Sequence, residues 1–161
     1  MSVAKRVAVA FLKGDAGVTA RCNGRLYNNK APQARTWPPL ATDPGAFPHL
    51  VYAQINSDDI NSNSGPGKTV RSQLQLDAYA LSPDEADALA EAVMAARGGA
   101  NVVPASADVA AFDGFRGTVN GIKVLMIDGN DARDVFEQPV HANDAGIHRV
   151  SMDFVVWTRE S

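Results

Sequence analysis

A short glycine-rich stretch is the first place where the chain could bind a phosphate group. Residues 65–69 read Gly-Pro-Gly-Lys-Thr, which matches the end of a phosphate-binding loop. That motif also needs a glycine at position 62, where this chain has Ser62, and a helix directly afterwards. A strand pattern follows instead, so the helix N-terminus that would hold phosphate is missing. We therefore predict a hairpin tip and no nucleotide site.

Three residues near the C-terminus could suggest a metal site. His141, Asp144 and His148 are close in sequence, but their spacing matches no helical i, i+4 pair and no established zinc pattern. The residues around them read as a turn, so we expect no metal. The remaining histidine, His49, stands between Pro48 and Leu50, where a surface or capping role is the default expectation.

Acidic and hydroxyl side chains also give no catalytic pattern. The group Asp84, Glu85, Asp87 and Glu91 lies in the first turns of a predicted helix, where carboxylates favour the helix dipole and face solvent. None of the serines considered as nucleophiles, Ser64, Ser72 and Ser106, lies in the sequence context of a nucleophile elbow. We therefore expect no nucleophilic, acid–base or metal catalysis and no cofactor, although a site assembled from distant residues would escape this test.

Composition narrows the class of protein further. The chain has 161 residues, of which 45% are hydrophobic and 20% charged, and its formal net charge is -3. These values are typical of a globular protein, and we expect a single domain over residues 1–161. The net negative charge argues against a protein whose main role is nucleic-acid binding, because phosphate binding uses clustered Lys and Arg. A single cysteine, Cys22, excludes an internal disulfide. No apolar run approaches the length of a membrane helix, so we expect a soluble, cytoplasmic protein.

Hydrophobic spacing predicts two helices. The first covers residues 3–13, ends at Gly14, and leaves room for one more turn over residues 15–20. The second begins at Ser82 and Pro83 with Glu85 completing a capping box, and it ends at Gly98-Gly99.

Strands occupy much of the remaining chain. Alternation over residues 70–81 predicts the clearest strand, with the leucines on one face and polar residues on the other. Asn120-Gly121 between two apolar runs predicts a hairpin. Shorter strands are expected at 25–27, 50–56 and 150–157. The predicted fold is α+β, a mainly antiparallel sheet with two helices packed on one face and long edge loops.

Two long polar segments interrupt these elements. Residues 28–49 hold five prolines, which remove backbone donors and fix φ, so this stretch cannot be a helix or a central strand. Residues 57–68 are rich in turn residues and read as a loop. Loops of this length are usually functional or wrapped over a neighbour.

The order of these features resembles the tail-completion, or tail-terminator, family of long-tailed bacteriophages. The resemblance runs nearly end to end, and extra residues in this chain lie around 37–47 and 128–144. Its most telling segment is VRSQLQLDAY at 70–79, followed by the helix at 86–95. The other matching pieces are DAGVTA at 15–20, RLY at 25–27, APQ at 31–33, PHLVY at 48–52 and GIHRVSMDFVVW at 146–157.

This resemblance implies a structural virion protein and not an enzyme. It implies a ring, commonly of six copies, at the head-proximal end of the tail tube, assembled in the host cytoplasm. The implied partners are other copies of the chain, the major tail tube protein and a head connector or neck protein. DNA would pass through the ring without specific binding, which the modest negative charge suits.

Candidate interface residues follow from the long loops and from the polar face of the 70–81 strand. Trp37 is an aromatic anchor in the proline-rich loop. The others belong to the 57–68 loop or to the polar strand face: Asp58, Asp59, Lys68, Arg71, Gln73, Gln75 and Asp77. For any single one of them, simple solvent exposure is the plainer interpretation.

Two other classes stay open at this stage. One is a head–tail connector or neck protein of the same virion, which would share the composition and the assembly role. The other is a small binding protein or an enzyme with a dispersed site, which a buried charged cleft would favour.

Overall fold

The protein folds as one mixed sheet with helices on one face. The computed structural model describes residues 2–32, 42, 45–60, 68–137 and 146–160. Three α-helices are found there: α1 (Val3–Lys13), α2 (Ala16–Cys22) and α3 (Pro83–Met94), with a short 3-10 helix at Ala107–Val109. Seven strands form the sheet: β1 (Leu26–Asn28), β2 (His49–Ile60), β3 (Lys68–Ala80), β4 (Val102–Pro104), β5 (Gly117–Val119), β6 (Ile122–Glu137) and β7 (Ile147–Glu160).

The strand order is β1-β2-β3-β7-β6-β5-β4. Among the strands of the described residues, only β1 and β2 pair in parallel, and the other pairs are antiparallel. The predicted α+β class with a mainly antiparallel sheet is therefore confirmed.

Helix starts follow the capping signals in the sequence. The Ser82 hydroxyl accepts a hydrogen bond from the Glu85 amide at 3.3 Å, and Pro83 occupies the first turn of α3. Ser2 caps α1 in the same way by accepting from the Lys5 amide. The extra turn expected after Gly14 forms a separate helix, α2, because Asp15 is an N-cap of its own.

The hairpin predicted at Asn120-Gly121 is confirmed. Both residues have positive φ, 49° and 81°, as the tight turn between β5 and β6 requires. Strand β6 then continues far beyond the expected apolar run, to Glu137. The register against β7 shifts between Gly129 and Ala132, and this bulge lets a strand with broken alternation keep its pairing.

Strand β2 is longer than predicted. Residues 57–60 were expected to start a loop, but they continue β2, and Lys68 already belongs to β3. The cause lies in the cross-strand partners, since Ser57 lies opposite Ser72 and Asp58 opposite Arg71. Polar pairs of this kind hold a hairpin together without apolar alternation.

An aromatic cluster attaches the helices to the sheet. The Phe11 ring of α1 meets Phe112 and Phe115 edge to face, with ring centroids 5.0 and 4.9 Å apart. Phe112 also meets Phe154 of β7 at 5.0 Å. All four rings are fully buried. We call the sheet face that carries Phe154 the inner face and the opposite one the outer face. Every second residue of β3, including its two leucines, lies on the inner face, as the sequence predicted.

The Asp15 side chain connects the start of helix α2 to the residues that follow helix α3. Its Oδ2 accepts from the Val18 amide at 3.0 Å, and its Oδ1 accepts from the amides of Arg97 and Gly98 at 2.9 and 3.1 Å. The residue is 9% exposed. The loops meet closely here, because a Cβ on Gly99 would lie 2.9 Å from the Gly14 carbonyl oxygen.

Removing this carboxylate is expected to destabilise the fold. Asp15→Ala leaves three amide donors without an acceptor, so we expect it to lower the free energy of unfolding by about 2–4 kcal/mol. Asp15→Asn keeps one acceptor oxygen and should lose roughly half as much. Urea unfolding monitored by circular dichroism measures both. The control is Asp108→Ala on the surface, and an Asp15→Ala effect no larger than this control would contradict the bridging role.

Candidate assembly interface

Seven of the eight sequence-predicted interface residues lie on one hairpin, formed by β2 and β3. Trp37 lies outside the described residues. Asp58 and Asp59 are near the end of β2, and the others follow along β3. The hairpin therefore brings together two groups that the sequence assigned to a loop and to a strand.

Two ion pairs join the strands at the far end of this hairpin. Lys68 Nζ lies 2.8 Å from Asp59 Oδ2, and Arg71 Nη1 lies 3.7 Å from Asp58 Oδ2. The carboxylates and the lysine are at least half exposed. Exposed pairs of this kind contribute little to stability, about 0–1 kcal/mol each. The side chains are thus held in place while still offering charge to a partner.

Arg71 also covers an aromatic ring on the neighbouring strand. Its guanidinium carbon is 5.7 Å from the centroid of the Trp157 ring, and the two residues are register partners in β3 and β7. Arginine and tryptophan are both enriched among the residues that contribute most to binding at protein interfaces. Sequence reasoning placed Trp157 in a strand but missed this contact, which depends on the β3–β7 register.

The polar side chains further along β3 bond mainly within the hairpin. Asn56 Nδ2 donates to Gln73 Oε1 at 2.7 Å, and Gln75 Nε2 donates to both carboxylate oxygens of Asp77 at 3.1–3.2 Å. Asp77 is buried, at 8% exposure. The polar face of β3 was expected to face solvent. It is only partly accessible, and its accessible part lies towards Arg71.

A shallow groove of about 280 Å³ runs across the outer face beside these glutamines. Ile55, the bulge residue of β2, is 57% exposed at its border. Arg133 Nη2 lies 3.1 Å from Asp153 Oδ2 within it. A single exposed apolar side chain is ordinary on a protein surface, so the groove adds an accessible, charged area to the outer face and no apolar patch.

Strands β2 and β6 each have one edge that is paired over only part of its length. Strand β1 pairs only with residues 50–52 of β2, and β5 pairs only with residues 122–124 of β6. Among the described residues, no further strand pairs with the rest of these two edges. Residues 113–115 bond to the backbone of Ile127 and Gly129, so the open part of the β6 edge lies beyond Gly129. Open edges offer backbone donors and acceptors to another chain.

The expectation of a surface or capping role for His49 is wrong. The ring is 4% exposed and stacks on Tyr79 at 5.1 Å, with Phe47 at 4.8 Å and Tyr27 at 5.6 Å. Its Nδ1 lies 3.0 Å from the Ala46 carbonyl oxygen. Burial lowers the pKa of His49, and the nearby Arg25 charge lowers it further, while the bond to Ala46 acts in the opposite direction.

Other candidate chemistry receives little support from the geometry. Within the described ranges, no three metal-ligating side chains come together, and His141 and Asp144 lie outside them. Lys68 and Thr69 belong to β3, so a strand follows the glycine-rich stretch, as predicted. Cys22 is buried, and burial raises the pKa of its thiol. No helix in the described part of the chain is long and apolar enough to cross a membrane.

His49 is expected to make the fold sensitive to acid. Because its pKa is lowered in the folded state, the unfolded chain binds a proton more readily, so stability declines as the pH falls below about 6.5. His49→Phe keeps an aromatic ring between Tyr27, Phe47 and Tyr79 and removes the titrating imidazole. Urea unfolding at pH 8 and pH 5 should show a smaller loss of stability on acidification in the variant than in the wild type. An equal loss would contradict the assignment.

The fold is similar to that of a virion component. A chain in the structure titled "Virion of native gene transfer agent (GTA) particle" superposes with a TM-score of 0.57 at 16% sequence identity, covering 99% of this chain and 98% of that one. At this identity the similarity establishes the fold. A comparison with curated proteins finds no match.

A family model accounts for nearly the whole sequence. The model described as "Tail completion protein gp17" matches residues 8–159. The matched region starts inside α1 and ends within the last strand, β7, so it includes all or most of every strand and the β2–β3 hairpin. This chain belongs to the tail completion protein gp17 family.

Proposed function

We propose that this protein caps the head-proximal end of a phage tail tube, ends tube polymerisation and provides the surface to which the head joins. The observation that carries the proposal is the family match over residues 8–159. A virion protein as structural neighbour over 99% of the chain supports it. Under this proposal the protein is structural, and its active surfaces are interfaces.

The geometry of the sheet suits such a role. A cap must bind the last ring of the tube on one side and present a different surface on the other. The β2–β3 hairpin carries charged pairs and an Arg71–Trp157 contact at one end of the sheet. The His49 aromatic cluster lies towards the other end of β3, at Tyr79. The two ends of the molecule therefore differ in chemistry.

Copies of the chain would form a closed ring, with six as the proposed number. A ring requires two different surfaces on each subunit, repeated by rotation. The open edges of β2 and β6 lie on different sides of the sheet, which allows this head-to-tail arrangement. The net charge of -3 gives no general attraction for the DNA that would pass through the ring.

Disruption of the gene tests the proposal directly. Electron microscopy of lysates should show DNA-filled heads separated from tails of uncontrolled length, because loss of a terminator removes both the stop and the joining surface. Tails of normal length that fail to join heads would instead identify a connector. Normal particles would contradict any structural role.

A charge exchange tests the hairpin as an interface. Asp59→Lys combined with Lys68→Asp keeps the ion pair, so the free energy of unfolding should change by less than about 1 kcal/mol. The charges presented to a partner are reversed, and we expect the yield of complete particles to fall about tenfold or more, as for the loss of one interface hot spot. Titres from a disrupted strain complemented with the variant measure this.

The matched control exchanges charges elsewhere on the surface, with Lys123→Asp combined with Asp108→Lys, both at exposed positions. It should complement like the wild type. Equal titres for the hairpin variant and the control would remove the hairpin from the proposed interface.

A further inference from the structure

Charge is distributed unevenly between the helices. The first 30 residues contain six of the 15 Lys and Arg residues and a single acidic residue, Asp15, which is buried in its capping role. Helix α3 contains four acidic residues and no basic one. The helical layer therefore has a basic part and an acidic part.

The acidic part of α3 forms one exposed stripe. Asp84, Asp87 and Glu91 are spaced by three and four residues, so they lie on one helix face, and all three are exposed. Asp134 of β6 faces Asp87 from the sheet. Partial desolvation raises the pKa of the Asp87 carboxyl, and Asp134, Glu91 and Asp84 raise it further.

These carboxylates repel one another in the isolated subunit. Among the described residues, none of these four carboxylates forms an ion pair with a basic side chain. A basic surface placed on the stripe would relieve the repulsion, whereas DNA would increase it.

Helix α1 carries such a surface. Arg6 and Lys13 are seven residues apart, so they lie on the same face, and both are exposed. Neither pairs with an acidic residue in the described part of the chain. At a rise of 1.5 Å per residue, their attachment points are about 10.5 Å apart, the same separation as between Asp84 and Glu91. The two stripes therefore match in both charge and spacing.

The stripes belong to different helices of the same layer. Lys5 Nζ donates to Asn28 Oδ1 at 2.8 Å and to Asn29 Oδ1 at 3.2 Å, which places the N-terminal part of α1 beside β1. Helix α2 contacts both α1 and α3, and Asp134 of β6 faces the α3 stripe. Two distinct surfaces of opposite charge on one subunit allow head-to-tail contact and closure by rotation.

We propose that the Asp84–Asp87–Glu91 stripe of α3 binds the Arg6–Lys13 face of α1 in a second copy of this chain. The inference rests on the proposed ring, and it names the charged contact that would join neighbouring subunits. Because the charges are exposed, this contact should weaken at high salt.

Two complementary variants test the contact. Variant A carries Asp84→Lys and Glu91→Lys, and variant B carries Arg6→Glu and Lys13→Glu. Each repels its own copies, so each should stay monomeric where the wild type associates. An equimolar mixture should associate again, since every A–B contact pairs opposite charges. Size-exclusion chromatography with light scattering at 50 and 500 mM salt measures this, and circular dichroism confirms that each variant folds.

Asp108→Lys is the control, and it should associate like the wild type. We expect at least about tenfold weaker association for A and B alone, a loss of about 1.4 kcal/mol. Failure of the mixture to recover would overturn the proposal, as would association of A and B at the wild-type level. A wild type that stays monomeric at low salt would overturn it too, and would leave the stripe to a different protein.

These outcomes are distinguishable from failure of the proposed function. If gene disruption gives uncontrolled tails while A and B associate normally, the capping role stands and only this contact is wrong. If disruption leaves particles normal while the mixture recovers association, the contact stands and the capping role is wrong.

Discussion

The packing of Phe11 against Phe112 and Phe115, and of Phe112 against Phe154, determines how the rest of the molecule is arranged. These rings attach the helical layer to the inner face of the sheet. The described helices consequently cover that face alone. The outer face and the long strand edges keep their polar groups, their ion pairs and the exposed Ile55. Stability and surface chemistry are thereby separated between the two faces.

This separation explains why charged residues can serve assembly without endangering the fold. The ion pairs of the β2–β3 hairpin are exposed and contribute little to folding. The buried polar group that matters most is Asp15, which accepts three backbone hydrogen bonds and lies among the helices. Substitutions on the hairpin or on the stripes of α1 and α3 should therefore affect contacts between proteins more than folding.

Features set by local chemistry could be predicted from the sequence. The Ser82 cap, the Asn120-Gly121 turn and the alternation along β3 each depend on neighbouring residues, and each is confirmed. Features set by distant partners could not. Ser57 and Asp58 extend β2 because Ser72 and Arg71 lie opposite them, and His49 is buried because three aromatic rings converge on it. The candidate residues of the hairpin could be named from polarity and loop length, but their pairing required the register. The interface assignment stays a prediction, and Trp37 lies outside the described residues.

Cryo-electron microscopy of intact particles tests the central claim most directly. We predict a ring of copies of this fold between the last ring of tube protein and the head. The β2–β3 hairpin and the His49 aromatic cluster should lie at opposite ends of each subunit. A ring in that position would support the capping role and show which end meets the tube. Density for this fold at the far tip of the tail, or none in the particle, would contradict it.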